Sequence, residues 1–332
     1  PYPPGCDAPV HIYKVQYILK NWPNYAWNYQ WAGGMPHFRW YPSLPYFLVG
    51  SIVQITGYSV SLIFVILIAI SYCLMGIGIY SFVYEVTSNR WSGLVASFSL
   101  ITSPMLWNVY IEGGMLARPI GAPFLPLSLW LMASYLKGAS EDKPSRKKLV
   151  FASVAAALAF SFHPYAGFWA IFSIAILVMF CMKGWTKKIW TLIKFSSFVF
   201  LLNAYLLIPY IYHVPANPQS GFPDLSSIIN LAIPVLTKLP SNAYDRALSP
   251  ILIIMTITFL ALAFRSGFGE TAKNGMNIRY ILLSLVLALV LSVMFIFPIW
   301  SPIVASRRLV SPEDVLYYSS FCFALLSAMA LG

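Results

Sequence analysis

Asp7 and His11, in the stretch GCDAPVH, are a carboxylate and an imidazole four residues apart. On a helix they share a face, and a carboxylate so placed can orient a metal or take a proton from a hydroxyl group. Asp is also a preferred N-cap, and Pro9 fits the first turn of a helix. The two roles do not exclude each other. A second imidazole, His163, lies in AFSFHPYAGF between two apolar runs. Proline removes a backbone donor and disfavours helix in the residue before it, so His163 marks a helix break. Either it hydrogen-bonds a neighbouring helix end or it lines a wet cavity, the usual setting for ionisable groups near membrane depth.

Three further groups carry charge or flat rings. Glu112 and Arg118, in YIEGGMLARP, either pair with each other at a surface or flank a site that Gly113 and Gly114 let backbone approach closely. Arg307 and Arg308, in SPIVASRRLVSPED, either pair with Glu313 and Asp314 or form an anion site, since guanidinium forks match phosphate geometry. The aromatic series from Trp22 through Trp40 and Tyr41 suits an interfacial belt, and the same rings can stack on flat ligands.

These residues have to be positioned by an apolar scaffold. Of 332 residues 59% are hydrophobic and 9% charged, with mean hydropathy +0.73, against roughly 25% charged in a soluble domain. Nearly uncharged runs recur at 58–85, 92–110, 120–137, 149–162, 165–182, 189–210, 249–264, 280–297 and 316–331. A hydrocarbon core about 30 Å thick requires such runs. The expected fold class is therefore all-α, a polytopic transmembrane helix bundle of about nine spans. The run at 149–162 is short and is expected to stop at or below the outer surface.

Most of the 21 Lys and Arg fall in the connections after 85, 137, 182 and 264, which makes those loops cytoplasmic. All four histidines, His11, His37, His163 and His213, then lie outside. Residue 1 is outside as well, so one more helix, or a cleaved signal, is expected before it. The chain divides into an extracytoplasmic first loop, 1–57, and a bundle, 58–332, with a second outer loop at 211–248. Within the first loop, Ile12, Val15, Ile18, Leu19 and Trp22 recur at helical spacing, predicting an amphipathic helix over 8–20. An apolar segment of about 12 residues after Pro42 and Pro45, closed by Gly57, is too short to span and is expected to lie in the interface.

Cys73, Cys181 and Cys322 fall within spans and leave Cys6 alone outside, so there is no disulfide framework and no Cys-x-x-Cys metal site. There is no phosphate-binding Gly-rich loop, no dinucleotide turn, no His-Glu-x-x-His and no Gly-x-Ser-x-Gly. The placement of the basic residues argues for membrane topology, and nucleic acid is not expected as a partner.

An outer first loop with an acid near its start, an amphipathic helix, Gly34-x-Pro36 and the run from Tyr41 to Tyr46 together resemble the polytopic C-type glycosyltransferase superfamily. More narrowly, Asp7-x-x-x-His11 with this membrane approach is similar to archaeal and bacterial membrane proteins that carry a 6-pyruvoyl-tetrahydropterin synthase-related label. The likeness extends to Ser103-Pro104, Gly113-Gly114, His163-Pro164 and Arg307-Arg308.

The resemblance implies transfer of a sugar from a polyprenyl-phosphate donor at the outer face, usually with inversion. It implies Asp7 as base or metal contact; His11, Glu112 and His163 are the further catalytic candidates on the outer face. It implies Arg307 or Arg308 at the donor phosphate; Arg118, Trp40 and Tyr41 are the further substrate-binding candidates. A divalent metal, Mg or Mn, is the cofactor such a site would take, held by Asp7 and His11. Asp7 has no adjacent acid, and no Trp-Trp-Asp is present.

Two rivals remain. One is a non-catalytic subunit of a membrane complex that keeps this scaffold, a reading favoured by the single acid, with other subunits as partners. The other is a transporter, against which stand the lack of a repeated pair of interrupted spans and of an acid within one.

Overall fold

The computed structural model describes residues 5–30, 34–38, 42–111, 113–141 and 143–213, with 321 and 324–325. The first loop folds into α1 (Ala8–Asn21), a short antiparallel pair β1 (Trp27–Asn28) and β2 (Met35–Pro36), and α2 (Leu44–Thr56). The rest is helical: α3 (Val60–Thr87), α4 (Arg90–Ile101), α5 (Pro104–Ile111), α6 (Ala117–Gly121), α7 (Phe124–Ser140), α8 (Arg146–Phe162), α9 (Pro164–Cys181) and α10 (Trp185–His213).

Local chemistry sets these boundaries. In α1, Ala8, His11, Ile12, Val15 and Ile18 form the buried face, spaced at three and four residues as a helix requires. The helix ends where Trp22, held extended ahead of Pro23, leaves the helical region. Gly57 closes α2 in the left-handed region (φ 72°), its N–H donating to the Val53 carbonyl at 2.8 Å. Ser59 Oγ accepts from the Leu62 N–H at the start of α3. Asn89 Oδ1 accepts from Trp91 and Ser92 at the start of α4.

Four helical stretches are long and apolar enough to cross a membrane: Val60–Thr87, Ala117–Ser140, Pro164–Cys181 and Trp185–Ile208. They mark the chain as a membrane protein. Side chains such as Ile70 and Ile77 on α3 and Ile193 and Leu201 on α10 are exposed, as lipid-facing positions are in a bundle. The bundle is built on pairs: α3 packs on α4 and α7, α8 on α7, α9 and α10, and α7 also on α9. Buried Ala152, Ala155, Ala156 and Ala159 let α8 sit at the centre of these contacts. Buried Asn203 of α10 donates to the Ala157 carbonyl and accepts from Ser161 Oγ at 2.6 Å, tying α10 to the last turn of α8.

Two expectations change, and a third, the short run at 149–162, is made more definite. The run at 92–110 is not one span: the helix stops at Ile101 and restarts at Pro104, because proline has no N–H to continue the ladder. The carbonyl of Ile101 freed by this break accepts from Trp107 Nε1 at 2.8 Å, and the Leu106 carbonyl accepts from Tyr72 Oη at 2.8 Å. The run at 149–162 is a 17-residue helix that starts with Arg-Lys-Lys and falls short of the spanning class. Residues 211–213, expected at the start of the second outer loop, belong to α10, which continues to His213, and 214–248 lie outside the described residues. Runs 249–264 and 280–297, and all of 316–331 except 321, 324 and 325, lie outside the described residues.

The connections segregate to two ends. At one, Lys137 pairs with Glu85 at 3.3 Å and Lys148 donates to Ser134 Oγ. At the other, α1 and α2 pack together and onto α3, α2 also meets α6 and α8, and α6 sits on α8.

Candidate functional site

The site begins with a backbone contact. Gly5 (φ 98°) and Gly114 (φ 63°) lie so close that a Cβ on Gly5 would stand 2.2 Å from Gly114 N, and one on Gly114 2.6 Å from Ala8 N. The Asp7 N–H donates to the Gly113 carbonyl at 3.1 Å. The close approach that a Gly pair permits is thus made by the start of α1, and it fixes where Asp7 stands.

Asp7 occupies the N-cap position of α1, but its backbone is helical (φ −90°, ψ −10°) and its side chain makes no capping bond. Its carbonyl does the capping, accepting from Val10 and His11, and the half-buried carboxylate is left for another role. The side-chain cap expected from residue type is therefore absent. Capping by a side chain needs an extended N-cap residue, and docking on Gly113 holds this one helical.

One turn on, His11 is buried, its Nδ1 2.8 Å from the hydroxyl of Tyr46 in α2 and the two rings stacked at 5.8 Å. Burial, and then the charges of Lys14 and Arg118, push its pKa down to about 4, so the ring is neutral at pH 7.

His163 sits at the junction of α8 and α9, extended (φ −154°, ψ 112°) as a residue before proline prefers. Its N–H donates to Ala159 O and its carbonyl accepts from Gly167, so the backbone at the break is satisfied. The imidazole is buried, and its Nδ1 has no hydrogen-bond partner among the described residues. Burial, then the charge of Arg118, then His11 hold its pKa well below the usual histidine value.

Arg118 is buried in α6. One turn further along α6, a Cβ on Gly121 would meet His163 Cβ and N at 3.3 Å, so α6 lies directly on the α8–α9 break. Its guanidinium acts electrostatically on both imidazoles, and His11 acts on His163. Three elements far apart in sequence, α1, α6 and the α8–α9 junction, thereby bring His11, Arg118 and His163 into one electrostatic neighbourhood. Glu112, Trp40, Tyr41, Arg307 and Arg308 lie outside the described residues.

Two residues of the site escape sequence reading. Lys14 is buried on the apolar face of α1, its Nζ donating to the His37 carbonyl at 3.1 Å and lying over the rings of Phe38 and Tyr46. Burial pushes its pKa down to about 8. Its signal was its place three residues after His11, inside the Ile12, Val15, Ile18 stripe. Tyr46, fully buried, closes the Tyr41–Tyr46 run.

Behind Lys14, a polar network fastens the hairpin to α1. Gln30 N–H and Tyr13 Oη donate to Asn28 Oδ1, which fixes the amide so that Asn28 Nδ2 donates to His37 Nδ1. His37 Nε2 then carries the proton and donates to the Lys14 carbonyl. Burial lowers the His37 pKa, opposed by this bond and reinforced by the Lys14 charge.

The arrangement does not fit the divalent metal that the resemblance implies. Among the described residues no group of three or more His, Cys, Asp or Glu could hold an ion. His11 Nδ1 is already engaged by Tyr46, and among the described residues the charges that act on His11 are those of Lys14 and Arg118, which disfavour a cation at its ring.

No family model, no curated protein and no solved structure matches the chain.

Proposed function

We propose that the chain is an integral membrane glycosyltransferase-like protein that moves a sugar from a polyprenyl-phosphate donor at the extracytoplasmic face. The observation that carries this reading is the convergence of Arg118, His11 and His163 beside Asp7 at one end of the bundle. Lys137, Lys143, Arg146, Lys147, Lys148, Lys183, Lys187 and Lys188 lie in the connections and adjoining helix ends at the opposite end. By the positive-inside rule the site end is then extracytoplasmic.

In this reading the donor phosphate lies against Arg118, whose guanidinium offers paired donors to its oxygens. The acceptor hydroxyl attacks the anomeric carbon, the bond from that carbon to the phosphate oxygen breaks, and the lipid phosphate leaves with the electron pair. Asp7, half-buried and not used as a cap, takes the hydroxyl proton. Stabilisation of the departing phosphate is the larger contribution, because it acts where charge develops.

The test is transfer from a lipid-linked sugar by the purified chain in nanodiscs. Asp7→Asn is expected to reduce turnover by roughly 10²–10⁴ fold with an unchanged circular dichroism spectrum, and unchanged turnover would refute the base. The single acid of the first loop favours one rival, a non-catalytic subunit on the same scaffold. Stable copurification with other subunits, with no transfer by the wild type, would decide for it.

A further inference from the structure

The turn between α9 and α10 gathers positive charge. No Asp or Glu occurs between Asp142 and Asp224, while Lys183, Lys187 and Lys188 crowd the turn and Lys194 follows along α10. Among the described residues at this end of the bundle, the acids are Glu85, which pairs with Lys137 at 3.3 Å, and Glu141, which closes α7. The 265–279 stretch is basic as well, with Arg265, Lys273 and Arg279 against Glu270.

Lys188 is fixed in the turn. Its Nζ donates to the carbonyl of Met179, near the end of α9, at 2.6 Å and lies 5.0 Å from the centre of the Trp185 ring. Both contacts orient the ammonium, and neither partner carries a full negative charge. The side chain is half-buried, and an anion beside it is screened less than at an open surface. Gly184 leaves the approach open: its backbone is left-handed (φ 82°), and a Cβ there would meet nothing within 4 Å.

The face that begins at Trp185 continues as an apolar stripe. Trp185, Ile189 and Ile193 stand four residues apart along α10 and are 67%, 50% and 47% exposed, whereas Thr191, Phe195 and Val199 are buried on the side from which α10 packs on α8 and α9. A fixed ammonium at the head of an exposed apolar stripe matches a phospholipid, phosphate first and acyl chain after it. A neutral lipid supplies the chain without the anion, and an acidic protein segment supplies the anion without the chain.

We propose that the α9–α10 turn is a binding site for an anionic phospholipid, its phosphate against Lys188 and its acyl chain along Trp185, Ile189 and Ile193. The site lies at the end of the bundle opposite the His11, Arg118 and His163 cluster and is independent of the proposed sugar transfer.

The experiment is native mass spectrometry of the full chain in a neutral detergent, titrated with phosphatidylglycerol or with phosphatidylcholine of the same acyl chains. Wild type is expected to bind phosphatidylglycerol roughly tenfold more tightly, the equivalent of one charged hydrogen bond. Lys188→Gln is expected to lose that preference. Lys143→Gln, which removes the same charge from the α7–α8 connection, is expected to keep it. Ile189→Ser is expected to weaken both lipids alike.

Equal affinity of wild type for the two lipids overturns the proposal, and that comparison decides the matter even if Lys188→Gln fails to fold. An equal loss in Lys188→Gln and Lys143→Gln overturns it too, because a diffuse basic surface then accounts for the binding. Unchanged binding of both lipids in Ile189→Ser overturns the place given to the acyl chain.

Discussion

Asp7 hangs from Gly113 by one backbone hydrogen bond of 3.1 Å, made possible because Gly5 and Gly114 bring two main chains closer than any side chain would allow. This relationship sets the geometry of the first loop over the bundle. Gly114→Ala is expected to be costly on two counts, a left-handed backbone and a Cβ 2.6 Å from Ala8 N. A loss of about 1–3 kcal/mol is predicted, with faster proteolysis of the loop before α2. Protease protection equal to wild type would show the contact to be dispensable.

Arg118→Gln removes the charge that helps hold both imidazoles neutral. The pKa values of His11 and His163 are predicted to rise, which histidine titration by NMR reads directly. No movement would mean that Arg118 is electrostatically remote from them.

The same imidazoles predict how stability follows pH. The folded pKa of His11, about 4, and that of His163 lie below the usual 6.5. Their contribution is fully present above pH 6.5 and is lost as pH falls from there toward the folded values, because the unfolded chain binds more protons. Thermal unfolding in detergent is expected to shift to lower temperature between pH 6.5 and 4, and the shift is expected to shrink in a His11→Gln, His163→Gln double variant.

Lys14 acts in the alkaline range. Its folded pKa of about 8 against 10.5 means that stability rises between those values, as the unfolded chain keeps a proton the folded chain has released. The gain is about 3 kcal/mol. Lys14→Met, of similar length and without the charge, is predicted to flatten this alkaline rise in a pH series of unfolding midpoints.

Much of this architecture was legible in the sequence, for identifiable reasons. The helix over 8–20 follows from apolar spacing, and α1 runs Ala8–Asn21; the short apolar segment forms α2 and ends at Gly57, which closes it in the left-handed region. His163-Pro164 marks a break because proline constrains its predecessor in any context. Ser103-Pro104 carries the same signal inside a strongly apolar run, and there hydropathy masks it.

What was not legible depends on packing between distant segments. Lys14 is buried only because the hairpin supplies the His37 carbonyl and α2 supplies Tyr46. Asp7 fails to cap only because Gly113 holds its backbone. The Asp7 backbone has no local signature in the chain, and the place of Lys14 inside the Ile12, Val15, Ile18 stripe does not by itself show that it is buried.

The account turns on whether the cluster at His11, Arg118 and His163 holds a lipid phosphate. The most direct measurement is binding of a polyprenyl monophosphate, against the neutral polyprenol, to wild type and Arg118→Gln in nanodiscs. The account predicts binding of the phosphate and not of the alcohol by wild type, and roughly a tenfold or greater loss in Arg118→Gln, the equivalent of one charged hydrogen bond. Equal affinity of the two proteins for the phosphate would contradict it.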